Sequence, residues 1–323
     1  MIKGPVPGRR TALTVAIVLG VVLVAASVVG IVRRDSGPPL PAIAYSVPTD
    51  LRQYDVFVAD DGKRTQLTDD KLSYAPSWSP DGTQLAYVRG EPDTWEECCG
   101  YGAERIWLMD ADGSDPRPIS PPQWSPASTP QWMPDGESLL FTVVREFKGN
   151  ADAADLVKLD LESGEVNAVR PFLPTYEFAL APDGARIAQP RRGGIAIIDI
   201  ATGRERLIAQ GLVRQASEIA WSADGTWLAF NAHAMGTAAP RLWAWNLVSD
   251  ELVPIDISRG EINGHVWVGR QRLLYCSDEW TALTLATVTT GYVLKQEVTE
   301  FEAQFGDDET ESCLGYEMSA RPD

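Results

Sequence analysis

Two histidines, four cysteines and a string of closely spaced aspartates are the residues whose types and spacing could do chemistry in this chain. Asp110-Ala-Asp112-Gly113-Ser-Asp115 puts carboxylates at alternate positions, as a calcium loop does. A complete loop also needs a bidentate glutamate further on, but here Pro116 follows and no Glu completes the set. The segment therefore reads as a turn, and no metal is expected. His233 and His265 have no recognisable nucleophile partner: the chain contains no GxSxG elbow, Walker loop, HExxH or SxxK. Both are read as loop histidines with incidental roles. A glycosidase-like carboxylate pair remains compatible with a total of 45 Asp and Glu, but no spacing signals one. No cofactor is expected.

The elements that would have to position such residues form a repeat array. Four 13-residue stretches align without gaps: PSWSPDGTQLAYV (76–88), PQWMPDGESLLFT (130–142), FALAPDGARIAQP (178–190) and IAWSADGTWLAFN (219–231). Each places Asp-Gly between two largely apolar runs. That pair suits a tight hairpin, because Gly accepts positive φ and Asp hydrogen-bonds the turn backbone. A fifth copy, HVWVGRQRLLYC (265–276), keeps Gly269 but not the Asp-Gly pair. A second hairpin pattern starts at 55, 106, 156, 195, 242 and 283, an average spacing of about 46 residues. Two hairpins per repeat make one four-stranded blade, so the expected fold is an all-β, six-bladed β-propeller. Blade one lacks its first arm, since PAIAYSV (41–47) matches only the second. CLGYEMSA (313–320) can supply the missing strand from the other end of the chain and remove an open edge. Trp78, Trp132, Trp221 and Trp267 repeat at one strand position and are expected to pack between blades.

The strings WSPDGTQLAYV and IWLMDADGSDPRPIS closely resemble the repeats of TolB-type β-propellers. The resemblance covers about 280 residues and recurs in register. It implies the propeller fold and is weak for function. TolB carries an additional α/β domain before its propeller. This chain has an apolar segment and a proline-rich stretch in that place, so the family's role in an outer-membrane assembly is not carried over.

Residues 11–32 contain no charge and would form a helix of roughly 33 Å, long enough to cross a hydrocarbon core of ~30 Å. The expected organisation is a cytoplasmic tail and transmembrane anchor over 1–34, a Pro-rich stalk over 35–42, and a propeller over 43–323 outside the cytoplasm. The bases Lys3, Arg9, Arg10, Arg33 and Arg34 all precede residue 35, and no acid does. The rest carries a net −22, against −17 for the whole chain, which disfavours nucleic acid as a partner. In such a compartment disulfides persist. Cys276 on blade six and Cys313 on the closing strand are candidates for a bridge. Cys98 and Cys99 are adjacent, and could bridge each other, pair elsewhere or stay reduced.

Within a four-stranded blade, the short Asp-Gly-type turns share one face of the ring. The longer, irregular loops share the other, and functional residues favour such loops on a rigid scaffold. The candidate binding residues are therefore Trp95, Glu96, Glu97, Tyr101, Trp124 and Phe147. The acidic run Asp307, Asp308, Glu309, Glu311 reads as a solvated loop. The expected function is non-catalytic binding of, or scaffolding for, an envelope protein, peptide or glycan. The rival is an extracellular hydrolase or lyase acting on glycans or peptides. Clustered axial carboxylates with shifted pKa values would favour that rival.

Overall fold

The computed structural model describes residues 39–50, 53–92, 95–96, 100–101, 103–144, 154–234, 241–256, 264–277, 282–290, 292–297 and 316–322. The chain divides into two compact units, Met1–Pro39 and Leu40–Asp323. The expected anchor at 11–32 lies outside the described residues, as do Cys98, Cys99, Cys313 and the acidic run at 307–311.

The second unit is built from six four-stranded antiparallel sheets. Listed from the inner strand outward, blade one is Tyr316–Ala320, Ile43–Asp50, Gln53–Asp60 and Lys63–Gln66. Blade two is Ser73–Trp78, Gln84–Gly90, Glu104–Asp110 and Arg117–Pro118. Blade three is Gln131–Trp132, Ser138–Val144, Ala154–Asp160 and Val166–Leu173. Blade four is Ala179–Leu180, Arg186–Arg191, Gly194–Asp199 and Glu205–Ile208. Blade five is Val213–Trp221, Trp227–Ala234, Arg241–Asn246 and Glu251–Asp256. Blade six is His265–Trp267, Arg272–Ser277, Ala282–Thr289 and Tyr292–Glu297.

The C-terminal strand closes the ring. Tyr316–Ala320 runs antiparallel to Ile43–Asp50, with Ile43 opposite Ala320 and Ala44 opposite Ser319. The Arg321 amide adds a 2.8 Å bond to the Ala42 carbonyl. Blade one thereby gains its fourth strand, and the inner side of Ile43–Asp50 is paired rather than open. The segment expected as a stalk is in part built into the ring: Leu40 packs against the core shared by blades six and one, and Ala42 is buried between blades one and two.

The core is six interfaces rather than one centre. Among the described residues, six apolar clusters each draw on two neighbouring blades. Side chains alternate across a strand, so one strand feeds two clusters. In blade three, Leu139 and Phe141 face blade two while Leu140 faces blade four. This explains why strands such as LLFT and IAII are apolar at consecutive positions: a blade is covered on both sides.

The Asp-Gly turns hold as expected. Gly82, Gly136, Gly184 and Gly225 have φ between +65° and +73°. In blade two the Asp81 carboxylate accepts bonds from the Ser79 and Thr83 hydroxyls and the Thr83 amide, which hold it below the usual carboxylate range. The aspartate string at 110–115 is likewise a turn: Asp112 accepts from the Ser114 amide and hydroxyl.

Candidate functional site

The repeating tryptophans set the geometry of the ring's axis. Trp132, Trp221 and Trp267 each donate an indole N–H to the preceding blade's inner strand, at the Ser77, Ala179 and Ala220 carbonyls, over 3.0–3.1 Å. Blade four has Leu180 at this position and cannot do the same. Gln131 from blade three takes over the link. Its amide donates to the Phe178 carbonyl at 2.8 Å and accepts from the Leu180 amide at 2.6 Å.

Three residues before each Trp or Leu, the inner strands reach the mouth of the axis. Those positions are Ala75, Thr129, Glu177, Glu218 and Gly264 in blades two to six. Glu317 falls at the matching position of the closing strand. The backbone is irregular here: Ala75 and Glu218 have φ of 55° and 50°, and both strands break register at this point. A non-glycine residue in this conformation is strained, and such strain gathers at sites where side chains must be aimed.

These strands line an axial cavity of about 770 Å³. Its wall includes Tyr54, Tyr74, Ser128, Thr129, Tyr176 and His265. Ala127–Thr129, Tyr176 and Gly264 lie in connections between blades, so the cavity opens among the longer loops. The rim is ordered by local bonds. Tyr54 and Tyr74 pack at 6.1 Å between ring centroids, and the Tyr74 hydroxyl donates to Glu104 at 2.5 Å. Asp55, buried in blade one, accepts from the Thr68 hydroxyl and the Asp70 and Lys71 amides, which fixes the loop beside them. At the other end a second cavity, of about 440 Å³, lies among Pro80, Pro134, Pro182 and Arg321 near the Asp-Gly turns.

Charge inside the axial cavity is acidic. Its described lining holds Glu177 and Glu218 and no Lys or Arg. Burial pushes Glu177 up to about 7, and the neighbouring Glu218 charge adds to the shift, while the Glu218 and Ile219 amides oppose it. Glu218 is held on one oxygen by the Gly264 amide at 3.1 Å and the Asn231 amide at 3.2 Å. His265 Nδ1 lies 4.0 Å from that same oxygen, with its side chain only 1% exposed. Burial pushes this imidazole down to about 4, against the opposing effect of the main chain at Ala229 and Glu218. Neither ring nitrogen makes a well-formed hydrogen bond, and Glu177 Oε1 is also buried without a partner.

The sequence-derived candidates lie elsewhere. Trp95–Glu96 and Gly100–Tyr101 form a short hairpin in the long loop of blade two, with Trp95 opposite Tyr101. Trp124 is half-buried against the core between blades two and three. Glu97 and Phe147 lie outside the described residues. None of the six is among the described residues lining the axial cavity. The histidines are a correction: His233 and His265 lie on strands, not loops, and His265 opens the inner strand of blade six at the cavity wall. Cys276 sits on the second strand of blade six, as expected.

Six blades, a strand borrowed from the far end of the chain and an axial cavity define a closed six-bladed β-propeller. No family model matches the chain. It is similar to TolB from Acinetobacter baumannii, at 18% identity over 99% of this chain and 74% of that one, with a TM-score of 0.63. The propeller is thus the one seen in TolB. It is also similar to an oligogalacturonate lyase solved in complex with manganese, at 15% identity over 75% and 70% of the two chains, with a TM-score of 0.52. The uncharacterized peptidase YuxL from Bacillus subtilis is 26% identical over 175 residues, which span 52% of this chain and 23% of that relative's length. At these identities the likeness establishes the fold.

Proposed function

We propose that the protein is a membrane-anchored, extracytoplasmic binding propeller that takes part of an envelope protein, peptide or glycan into its axial mouth. The uncharged run at 11–32 confines it to the membrane. The observation that carries this reading is the axial cavity. Its size is that of a ligand site, and it combines tyrosine faces, hydroxyls and a few convergent polar groups. Among the described residues, no hydroxyl, thiol or carboxylate is hydrogen-bonded to either nitrogen of His265.

One observation favours the rival. Glu177, raised to about 7 by burial with the neighbouring Glu218 charge adding to the shift, is a carboxyl of the kind general acid–base catalysis uses. The same experiment separates the two readings. The full chain in detergent is incubated with envelope peptides and glycan fragments, as wild type, Thr129→Trp and Glu177→Gln. Saturable capture without turnover, lost when Trp fills the cavity, supports binding. Turnover that disappears in Glu177→Gln replaces the binding reading with an enzyme.

A further inference from the structure

We infer that the axial cavity binds an organic ammonium group, such as a lysine side chain presents, held between Glu177, Glu218 and His265. The inference rests on the reading of this cavity as the working site and names the chemistry that the site selects. Three acceptors from three blades line it. Glu177 Oε1 is buried and unpartnered, the Glu218 carboxylate is fastened by Asn231 and Gly264, and the His265 ring is buried with neither nitrogen in a well-formed bond. An ammonium offers three N–H donors and no acceptor, which matches that set. Two acceptors sharing one ammonium at ordinary hydrogen-bond lengths stand roughly 4–5 Å apart. His265 Nδ1 and Glu218 Oε2 are 4.0 Å apart, too far to bond each other directly.

Charge selects the same class. The lining charges are acidic, and burial keeps His265 neutral at pH 7, so it presents a lone pair rather than a competing cation. Tyr54 and Tyr74 add aromatic rings to the lining, a surface of the kind that attracts cations. A metal ion is less well served: among the described residues no group of three His, Cys, Asp or Glu is placed to hold one. Glu317 stands at the same register position on the closing strand.

Binding should also move a proton. A cation favours the ionised form of Glu177, whose neutral form burial favours. The groups that act on Glu177 are the Glu218 charge and the Glu218 and Ile219 amides, while Gln189 donates to its main-chain carbonyl. Affinity for an amine therefore rises as pH rises through 7.

The test is calorimetry on the full chain in detergent at pH 8, with Nα-acetyl-lysine amide and its neutral counterpart Nα-acetyl-norleucine amide as probes. The lysine probe should bind about tenfold more tightly than the norleucine probe, an increment of about 1.4 kcal/mol. Glu177→Gln and Glu218→Gln should each weaken it severalfold with unchanged near-ultraviolet circular dichroism. Glu162→Gln, on an exposed turn of the opposite face, should leave it unchanged. Equal binding of the two probes overturns the cation assignment while leaving a binding cavity. Lysine binding indifferent to both cavity variants overturns it in favour of general attraction to an acidic surface. If neither probe binds, the cation assignment is overturned. If Thr129→Trp also leaves partner capture intact, the reading of the cavity as the working site falls with it.

Discussion

Replacing Glu177 by glutamine should change how stability depends on pH. Glu177 titrates near 7 in the folded protein against a reference value of 4.5, because burial disfavours its charge. Between those values the folded state holds a proton that the unfolded state has lost. Rising pH therefore drains stability, in total by about 3 kcal/mol at 1.36 kcal/mol per unit. His265 works in the opposite direction. Its folded value of about 4 lies below the reference 6.5, so stability is lost as pH falls from 6.5 toward 4. In the wild type the two slopes oppose each other between about 4.5 and 6.5. Glu177→Gln keeps a carbonyl oxygen near the Glu218 and Ile219 amides and removes only one slope. Relative to wild type, the variant should gain about 3 kcal/mol between pH 4.5 and 7.5, and should show the His265 loss below pH 6.5. Urea denaturation of both proteins, followed by tryptophan fluorescence at pH 4.5, 5.5, 6.5 and 7.5, measures this. A wild-type-to-variant difference that stays constant across the range refutes the buried, proton-holding Glu177.

Two further outcomes test the ring itself. Gln131→Ala removes two bonds between blades three and four and leaves the Phe178 carbonyl and Leu180 amide without partners, so urea denaturation should register a loss of about 2–3 kcal/mol. Gly164→Ala and Gly184→Ala start from nearly the same φ, 70° and 68°, but a Cβ at 164 meets open space while one at 184 would stand 2.7 Å from Pro134 Cδ of the preceding blade. The first should cost about 1 kcal/mol of backbone strain and the second about 1–3 kcal/mol more, and equal melting-temperature losses would contradict close packing of blade three on blade four.

The fold was legible because a propeller writes the same instructions six times. Asp-Gly at a fixed offset from a tryptophan marks each inner hairpin, and the missing first arm at 41–47 announced the closing strand. The cavity was harder to read. Glu177, Glu218 and His265 are separated by long stretches of chain and meet only because consecutive blades bring their inner strands to one axis. A signal existed: extending the gapless alignment three residues upstream of Trp78, Trp132, Leu180, Trp221 and Trp267 reaches 75, 129, 177, 218 and 264. Loop length pointed instead to Trp95 and Trp124, which are not among the described residues lining the cavity. Trp124 illustrates why, since an aromatic in a long loop is as readily spent on covering a core as on meeting a ligand. Burial of His265 was likewise invisible in sequence, because the atoms around it, at Glu218 and Ala229, belong to a neighbouring blade.

The most direct test of the axial mouth as the working site is site-specific photocrosslinking in membranes. A photoreactive residue replaces Tyr176, which is 56% exposed at the cavity, or Glu162 on the opposite face. A discrete adduct from position 176 that is absent from 162, and that Thr129→Trp abolishes, is the predicted result. Equal adducts from both positions, or an adduct from 162 alone, would contradict it.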